Sequence, residues 1–302
     1  MFRERCAILE NKKVAPGHFV IRIHSPKISK NAKPGQFAQI LCEDSYEPLL
    51  PRPFSFLTAT DQDFSILYHV VGKGTKILSQ HAGGESLWVL GPLGNGFERG
   101  GKRLPAGQAG KAESGKKMVL LGGGVGIPPL YHLAETLLKK KIKADSIHVF
   151  LGARHESLLL CEKDFKRLGV AVSVATDDGS KGHKGFVTEL LNAYLCSTAI
   201  RYPCLSGRQA LSAILFTCGP TPMLKAVSMI AGKYKLPCEV SVEVPMACGF
   251  GACLGCAIEV RGQKTEDREQ KANRFAIACT EGPVFQAEEI IWEKPPCTPG
   301  VH

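Results

Sequence analysis

The stretch LLGGGVGIPPLYHL, residues 120–133, joins a buried-type hydrophobic run to an amphipathic one through a glycine-rich turn. The run KKMVLLGGG is typical of a fully buried strand, and Leu130, Leu133 and Leu137 then follow at helical spacing. Glycine allows positive φ and close backbone approach, and Pro129 suits a first helical turn, where no N–H is needed. The stretch therefore predicts a strand, a turn and a helix.

The same alternation continues toward the C-terminus. Strand-like runs SIHVFLGA, AVSVAT and AILFTCGP alternate with helix-like runs ESLLLCEKDFKRL, GFVTELLNAYL and TPMLKAVSMIAGKY. Alternating strands and helices predict a parallel sheet with crossover helices. We assign residues 115–236 to this α/β domain.

The N-terminal third has a different pattern. The runs HFVIRIHS, GQFAQILC, PFSFLTA, FSILYHVV and SLWVLG are strand-sized, rich in β-branched and aromatic residues, and separated by Gly and Pro. This spacing is typical of a small antiparallel β-barrel, which we assign to residues 1–104. The Gly- and Lys-rich segment 99–117 is predicted to be a flexible loop between the two domains.

The last part, residues 237–302, contains a cluster of cysteines. Cys248, Cys253 and Cys256 have the C-x4-C-x2-C spacing of a plant-type 2Fe-2S cluster, which takes its fourth ligand from a distant cysteine. Cys279, 23 positions after Cys256, is the expected fourth ligand, and Cys238 is a rival by proximity. A structural zinc site is the alternative, although zinc prefers paired short cysteine spacings.

Composition narrows the classes of function. The formal net charge is +10, but the lysines are dispersed, so we expect no nucleic-acid partner. The chain of 302 residues has no run of 18 apolar residues and no signal-like start, so no membrane span or export is expected. Without export the 12 cysteines are expected in a reducing cytoplasm, where free thiols and metal ligation are favoured over disulfides.

Two glycine-containing turns are candidates for nicotinamide binding. Free N–H groups at the start of a helix suit a pyrophosphate, and ligands of open parallel sheets lie beyond the carboxyl ends of the strands. The second turn, FTCGPTPML, places Cys218 at such an end, facing a nicotinamide. Each turn alone could also be a ligand-free turn or a buried strand-end thiol. The candidate residues are Gly122, Gly123, Gly124, Gly126, Cys218, Gly219, Pro220 and Met223.

The barrel region contains candidates for flavin binding in the runs RPFSF and LYHVVGKGT. An arginine suits a diphosphate, an aromatic ring can pack on a flavin, and a hydroxyl can bond the N5 edge. Backbone N–H groups of the glycine loop can form an anion-binding nest. The candidate residues are Arg52, Pro53, Phe54, Ser55, Leu67, Tyr68, His69, Gly74 and Thr75, of which Ser55, with Cys218, is the expected catalytic residue.

The order of these motifs resembles the ferredoxin–NADP reductase superfamily. RPFS, GVGIPP and CGP match its flavin and nicotinamide motifs in order and spacing, and GPLGNGF at 91–97 is similar to the stretch where its barrels end. Together with MACGFGACLGC and CTEGPVF, the chain looks like an electron-transfer subunit of the NAD-linked dihydroorotate dehydrogenases. The chain departs from the family pattern at Phe54, which replaces an aliphatic residue, in the long gap before Cys279, in the insertion 99–117 and in the tail WEKPPCTPGVH.

The resemblance implies FAD, NAD and a 2Fe-2S cluster, with electrons passing from a separate flavin-containing catalytic subunit to NAD⁺ in pyrimidine biosynthesis. It also implies a hetero-oligomer, expected to be a heterotetramer. Two alternatives remain at this point. One is an NAD(P)H-dependent reductase subunit of another cytoplasmic flavoenzyme complex, linked to sulfide or ferredoxin. The other is a zinc-stabilised binding protein without catalysis.

Overall fold

The computed structural model describes residues 1–97, 116–197, 213–262 and 273–292. Most of the predicted loop 99–117, the stretch 198–212 and the tail after Trp292 lie outside the described residues. Cys204 and Cys297 lie outside them as well.

The N-terminal part is a closed antiparallel barrel with strand order β1-β2-β5-β4-β3-β6. Its strands are β1 (Phe2–Ala15), β2 (His18–His24), β3 (Phe37–Leu41), β4 (Arg52–Ala59), β5 (Asp63–His69) and β6 (Ser86–Leu93). Every second residue of β6 points into the core, as expected for strands with one buried face. Two short helices, α1 (Pro26–Asn31) and α2 (Lys73–Leu78), interrupt the strands.

The second part is a seven-stranded sheet in which six strands run parallel. Its strands and helices alternate as β7 (Lys117–Gly123), α3 (Ile127–Lys139), β8 (Ile147–Ala153), α4 (Glu162–Arg167), β9 (Ala171–Thr176), β10 (His183–Lys184), α5 (Val187–Ser197), β11 (Ala213–Cys218), α6 (Thr221–Tyr234) and β12 (Cys238–Ser241). The helix expected over ESLLLCEKDFKRL is shorter than the pattern suggests. Cys161, with φ of 57°, lies in the left-handed region and separates α4 from a 3-10 turn at Glu156–Leu158.

The C-terminal part is small and shares a strand with the sheet. β13 (Ala257–Arg261) and β14 (Asn273–Ile277) form a hairpin, whereas β15 (Val284–Gln286) pairs antiparallel with β12 at the sheet edge. The structure confirms the predicted class of barrel, α/β sheet and small C-terminal domain. The boundary between residues 236 and 237 stays a prediction, and the sheet itself continues past it into β12 and β15.

The three parts are joined by hydrophobic packing. Leu57 and Leu67 of the barrel lie in one core with Leu130 of α3. Phe37 and Leu93, also from the barrel, lie in another core with residues of the C-terminal part. Each such buried side chain contributes about 1.5–3 kcal/mol, so both contacts fix the relative position of the domains. None of the described helices is long and apolar enough to cross a membrane.

Candidate functional site

A cavity of about 380 Å³ lies where the three parts meet. It brings together most of the residues predicted from the sequence to bind flavin and nicotinamide. From that set its lining contains Arg52, Pro53, Phe54, Ser55, Leu67, Tyr68, His69, Thr75, Gly126, Cys218 and Gly219. Gly74, Gly122, Gly123, Gly124, Pro220 and Met223 are not part of the lining.

Arg52 and the start of α2 form the cationic end of the cavity. The Arg52 guanidinium lies over Gly74, and a Cβ on Gly74 would be 3.2 Å from Arg52 Nε. Arg52 Nη1 donates a hydrogen bond to Leu50 O at 2.6 Å. Thr75 Oγ1 accepts hydrogen bonds from the N–H groups of Val71 and Gly72. The remaining N–H groups of the first turn of α2 have no helical partner, so they and Arg52 suit a diphosphate.

Aromatic residues of β4 and β5 form the floor of the cavity. Phe54 and Tyr68 are in tilted contact with ring centroids 5.7 Å apart, and Tyr68 Oη donates to Asn11 Oδ1. His69 stacks on His18 at 4.3 Å. Burial lowers the pKa of His18, and its Nδ1 lies 2.7 Å from Pro16 O. These contacts hold the rings in place, so the floor is preformed for a flat aromatic group.

The carboxyl end of β11 forms the opposite wall. Cys218 is buried, and burial raises the pKa of its thiol to about 12, so it is uncharged at neutral pH. Gly126 packs directly on it, because a Cβ there would lie 2.4 Å from Cys218 O. Met223 supports the turn from behind, since a Cβ on Gly219 would lie 2.6 Å from its Cε. Cys218 and Gly126 thus come from two turns at one sheet edge.

Met246, which lines the cavity, leads into the loop with three of the predicted cluster cysteines, and the fourth, Cys279, contacts this loop. Gly251 N donates to Cys279 Sγ at 3.1 Å, and Cys279 N donates to Cys256 Sγ at 3.4 Å. Cys279 therefore lies against both the glycine loop and Cys256, although 23 positions separate it from the trio. The rival Cys238 lies on β12, inside the ladder with β11 and β15.

The sequence matches two family models. Residues 243–291 match the iron-sulfur cluster binding domain of dihydroorotate dehydrogenase B, and residues 120–229 match an oxidoreductase NAD-binding domain. The dihydroorotate dehydrogenase B (NAD(+)) electron transfer subunit of Desulforamulus reducens is 36% identical over 284 residues, which is 93% of this chain and 95% of the relative. The chain belongs to this family.

A second relative agrees with this membership, and solved structures share the fold. The electron transfer subunit of Caldanaerobacter subterraneus subsp. tengcongensis is 36% identical and covers 96% of this chain and 99% of its own length. Among solved structures, NADH-dependent reduced ferredoxin-NADP oxidoreductase has a TM-score of 0.74, 30% identity, and covers 95% of this chain and 90% of its own. A ferredoxin NADP+ reductase from Neisseria gonorrhoeae, at 17% identity and a TM-score of 0.60, shares the fold over 77% of this chain and 91% of its own.

The cysteines of this electron-transfer-subunit chain fit a two-iron cluster. No three His, Cys, Asp or Glu side chains within the described residues surround one point closely enough to hold a single metal ion. Each iron of a 2Fe-2S cluster takes two cysteines, and the four cysteines form two neighbouring pairs, Cys248 with Cys253 and Cys256 with Cys279. Burial raises the pKa of Cys248, but backbone hydrogen bonds from Cys253 and Phe250 outweigh burial and lower the pKa to about 6. Burial raises the pKa of Cys279, to about 12. The N–H groups of the loop therefore favour the thiolate that iron requires at Cys248.

Some residues that line the cavity were not predicted from the sequence. Ser241, the last residue of β12, and Glu243 and Met246, which follow that strand, line the cavity together with Cys218. The protein atoms packed around Glu243 raise the pKa of its carboxyl group, although the residue still reaches solvent. Their position at the site could have been predicted from the order of the strands. β12 runs parallel to β11, and neighbouring parallel strands have their carboxyl ends at the same edge of the sheet.

Proposed function

We propose that this chain carries FAD and a 2Fe-2S cluster and passes electrons from a dihydroorotate dehydrogenase catalytic subunit to NAD⁺ in pyrimidine biosynthesis. One observation supports this most strongly. A single cavity joins the flavin-type motif of β4 to the nicotinamide-type end of β11, and its wall includes Met246, two residues before the first cluster cysteine. The three kinds of site therefore adjoin one another.

The residues of the chain have distinct roles in this proposal. FAD exchanges both electron pairs and single electrons, so it can link a nicotinamide to an iron–sulfur cluster. Arg52 and the start of α2 bind the diphosphate, and Ser55 presents its hydroxyl to the flavin edge. Cys218, uncharged and buried, orients the nicotinamide without placing a charge beside it. Cys248, Cys253, Cys256 and Cys279 hold the iron.

The partner is proposed to dock over the cluster. A second cavity of about 590 Å³ opens beside Cys248 and Cys253, and its rim includes Leu50 and Phe250, which are 50% and 49% exposed. Exposed apolar groups around a redox centre suit a protein surface that must exclude water there. The catalytic flavin-containing subunit is the occupant we propose, in a heterotetramer in the cytoplasm.

Anaerobic purification followed by NADH titration tests the proposal. We expect one FAD, two irons and two sulfides per chain, with NADH bleaching both the flavin and the cluster absorbance. Adding a catalytic subunit from a relative should allow dihydroorotate to bleach them as well. A folded protein that contains neither FAD nor iron would contradict the proposal.

A second candidate function has specific support. The similarity to NADH-dependent reduced ferredoxin-NADP oxidoreductase covers 95% of this chain at 30% identity. The chain would then serve a complex that uses ferredoxin and NADP. Reduced ferredoxin should bleach the flavin in this case, whereas dihydroorotate with a catalytic subunit should not.

A further inference from the structure

Two amide side chains of the barrel contact the two segments that carry the cluster cysteines. Gln39 lies on β3 and contacts the loop that begins at Met246, whereas Asn95 follows β6 and contacts the segment after Cys279. Both segments are distant in sequence from the barrel. In addition to the hydrophobic packing of Phe37 and Leu93, the barrel thus contacts each half of the cluster site through a side-chain amide.

Gln39 is enclosed by the cluster loop. It is 1% exposed, and its Nε2 donates to Met246 O at 3.2 Å. A Cβ on Gly249 would lie 2.6 Å from Gln39 Cγ, and Gly249 has a φ of 83°, which favours glycine. The loop therefore passes Gln39 at a distance that only a glycine beside Cys248 permits.

A buried amide at position 39 does not make the barrel more stable. Its Oε1 is buried and has no hydrogen-bond partner within the described residues. An unpaired buried acceptor is costly, and an apolar side chain of the same size would avoid that cost. The position instead serves the loop. Gln39 pairs with Pro53 in the β3–β4 ladder, so the same residue adjoins the flavin-type motif.

Asn95 holds the other half. Its Nδ2 donates to the carbonyl oxygens of Thr280 and Glu281 at 3.1 and 3.0 Å, and its backbone N donates to Gly282 O. Asn95 belongs to the GPLGNGF stretch at the end of the barrel. Neither cysteine segment is therefore positioned by the C-terminal part alone.

We propose that Gln39 and Asn95 are positioning residues for the iron–sulfur cluster, holding the Cys248 loop and the Cys279 segment against the flavin-binding barrel. The inference rests on the proposed function, because it requires the cluster. Residues outside the first ligand shell that orient metal ligands affect metal retention and spectra.

Anaerobically purified holoprotein variants Gln39→Leu, Gln39→Asn and Asn95→Ala test the inference. We expect iron loss under air to be about tenfold faster, the lower end of what such residues contribute. The electron paramagnetic resonance spectrum of the reduced cluster should also change, while FAD content stays constant. Asn31→Ala is the matched control, because the amide of Asn31 donates to Lys27 O within α1 and contacts neither the cavity nor the cluster segments.

The outcomes are distinguishable. Wild-type iron retention and an unchanged spectrum in the Gln39 variants would overturn the inference while leaving the proposed function intact. If Gln39→Leu does not fold, Gln39→Asn and Asn95→Ala decide by the same two measurements. A wild-type chain that binds FAD but no iron would overturn the proposed function and this inference together.

Discussion

At the scale of single residues, the assignment of the fourth cluster ligand can be tested by a matched pair of substitutions. Cys279→Ser should abolish the visible absorbance of the cluster, because Cys279 lies against both Cys256 and the glycine loop. Cys238→Ser should leave the absorbance intact, because Cys238 lies within the sheet. Iron content and the visible spectrum after anaerobic purification give the answer, and the reverse pattern would make Cys238 the ligand.

Cys218 allows a second test at this scale. Cys218→Ala should slow flavin reduction by NADH by roughly tenfold to 100-fold, because misplacing a reacting group by about 1 Å can cost about 100-fold. Stopped-flow absorbance at the flavin band measures this rate. Cys161→Ala is the control, since burial raises the pKa of both thiols to about 12 but Cys161 lies outside the cavity. Equal rates in both variants would argue against a role at the nicotinamide.

Single site residues could be predicted from the sequence where they belong to a local motif. The cysteine spacing and the RPFS run are local, so the sequence identified their residues. Gln39 and Met246 are 207 positions apart, and no periodicity links a glutamine in a strand to a carbonyl in a distant loop. Glu243 likewise became a cavity residue only through the pairing of β12 with β11.

At the scale of elements, the turn before α3 depends on Gly126. Gly126→Ala should destabilise the protein by about 1–3 kcal/mol, because the new Cβ would meet backbone atoms of Cys218 at 2.4 Å and cannot be avoided by a side-chain rotation. Gly232→Ala on α6 is the control, since nothing lies within 4 Å of its Cβ position and alanine favours a helix by up to about 1 kcal/mol. Melting temperatures of both variants should therefore shift in opposite directions. A stable Gly126→Ala protein would mean that the turn can move away from Cys218.

Helix α3 also makes stability depend on pH through His132. Burial, and then Lys139, lowers the pKa of His132 to about 4, so the folded state favours the neutral ring. The unfolded state binds a proton near pH 6.5, so stability is full above that pH and falls as pH drops toward 4. The loss is about 2 kcal/mol between neutral pH and pH 5.

His132→Leu should remove this part of the pH dependence. The difference in melting temperature between pH 7 and pH 5 should shrink, with little cost at pH 7, because His132 Nδ1 has no hydrogen-bond partner within the described residues. If the melting-temperature difference between pH 7 and pH 5 is unchanged in His132→Leu, titratable groups other than His132 cause the loss of stability in acid.

Element type was predictable wherever hydrophobic periodicity was long. The run at 120–133 became β7 and α3 as expected, because a buried strand and an amphipathic helix have different periods. The helix expected near 156–168 was interrupted at Cys161, whose left-handed backbone no local pattern indicated. Short helices α1 and α2 were missed within strand-rich sequence, since six residues are too few to show a helical period.

At the scale of the whole molecule, the architecture followed from the change of pattern along the chain. Closely spaced short strands gave the barrel, and alternating strands and helices gave the parallel sheet. The pairing of β15 with β12 could not be predicted, because a three-residue strand at a sheet edge carries almost no sequence signal. That pairing links the cluster segment to the nicotinamide-type wall.

The proposed docking surface for the catalytic subunit, over the cluster, could not be located from the sequence. A substitution that adds a charge to this surface tests the proposal. Leu50→Glu should weaken binding of the catalytic subunit, because a carboxylate would be buried in an apolar contact beside Cys248 and Cys253. Met229→Glu is the matched control, since Met229 is 67% exposed on α6, away from the second cavity. Analytical ultracentrifugation with the catalytic subunit measures assembly, and NADH-driven flavin bleaching checks that each variant is loaded. Loss of binding only in Leu50→Glu would locate the partner over the cluster, whereas full assembly of both variants would place it elsewhere on the molecule.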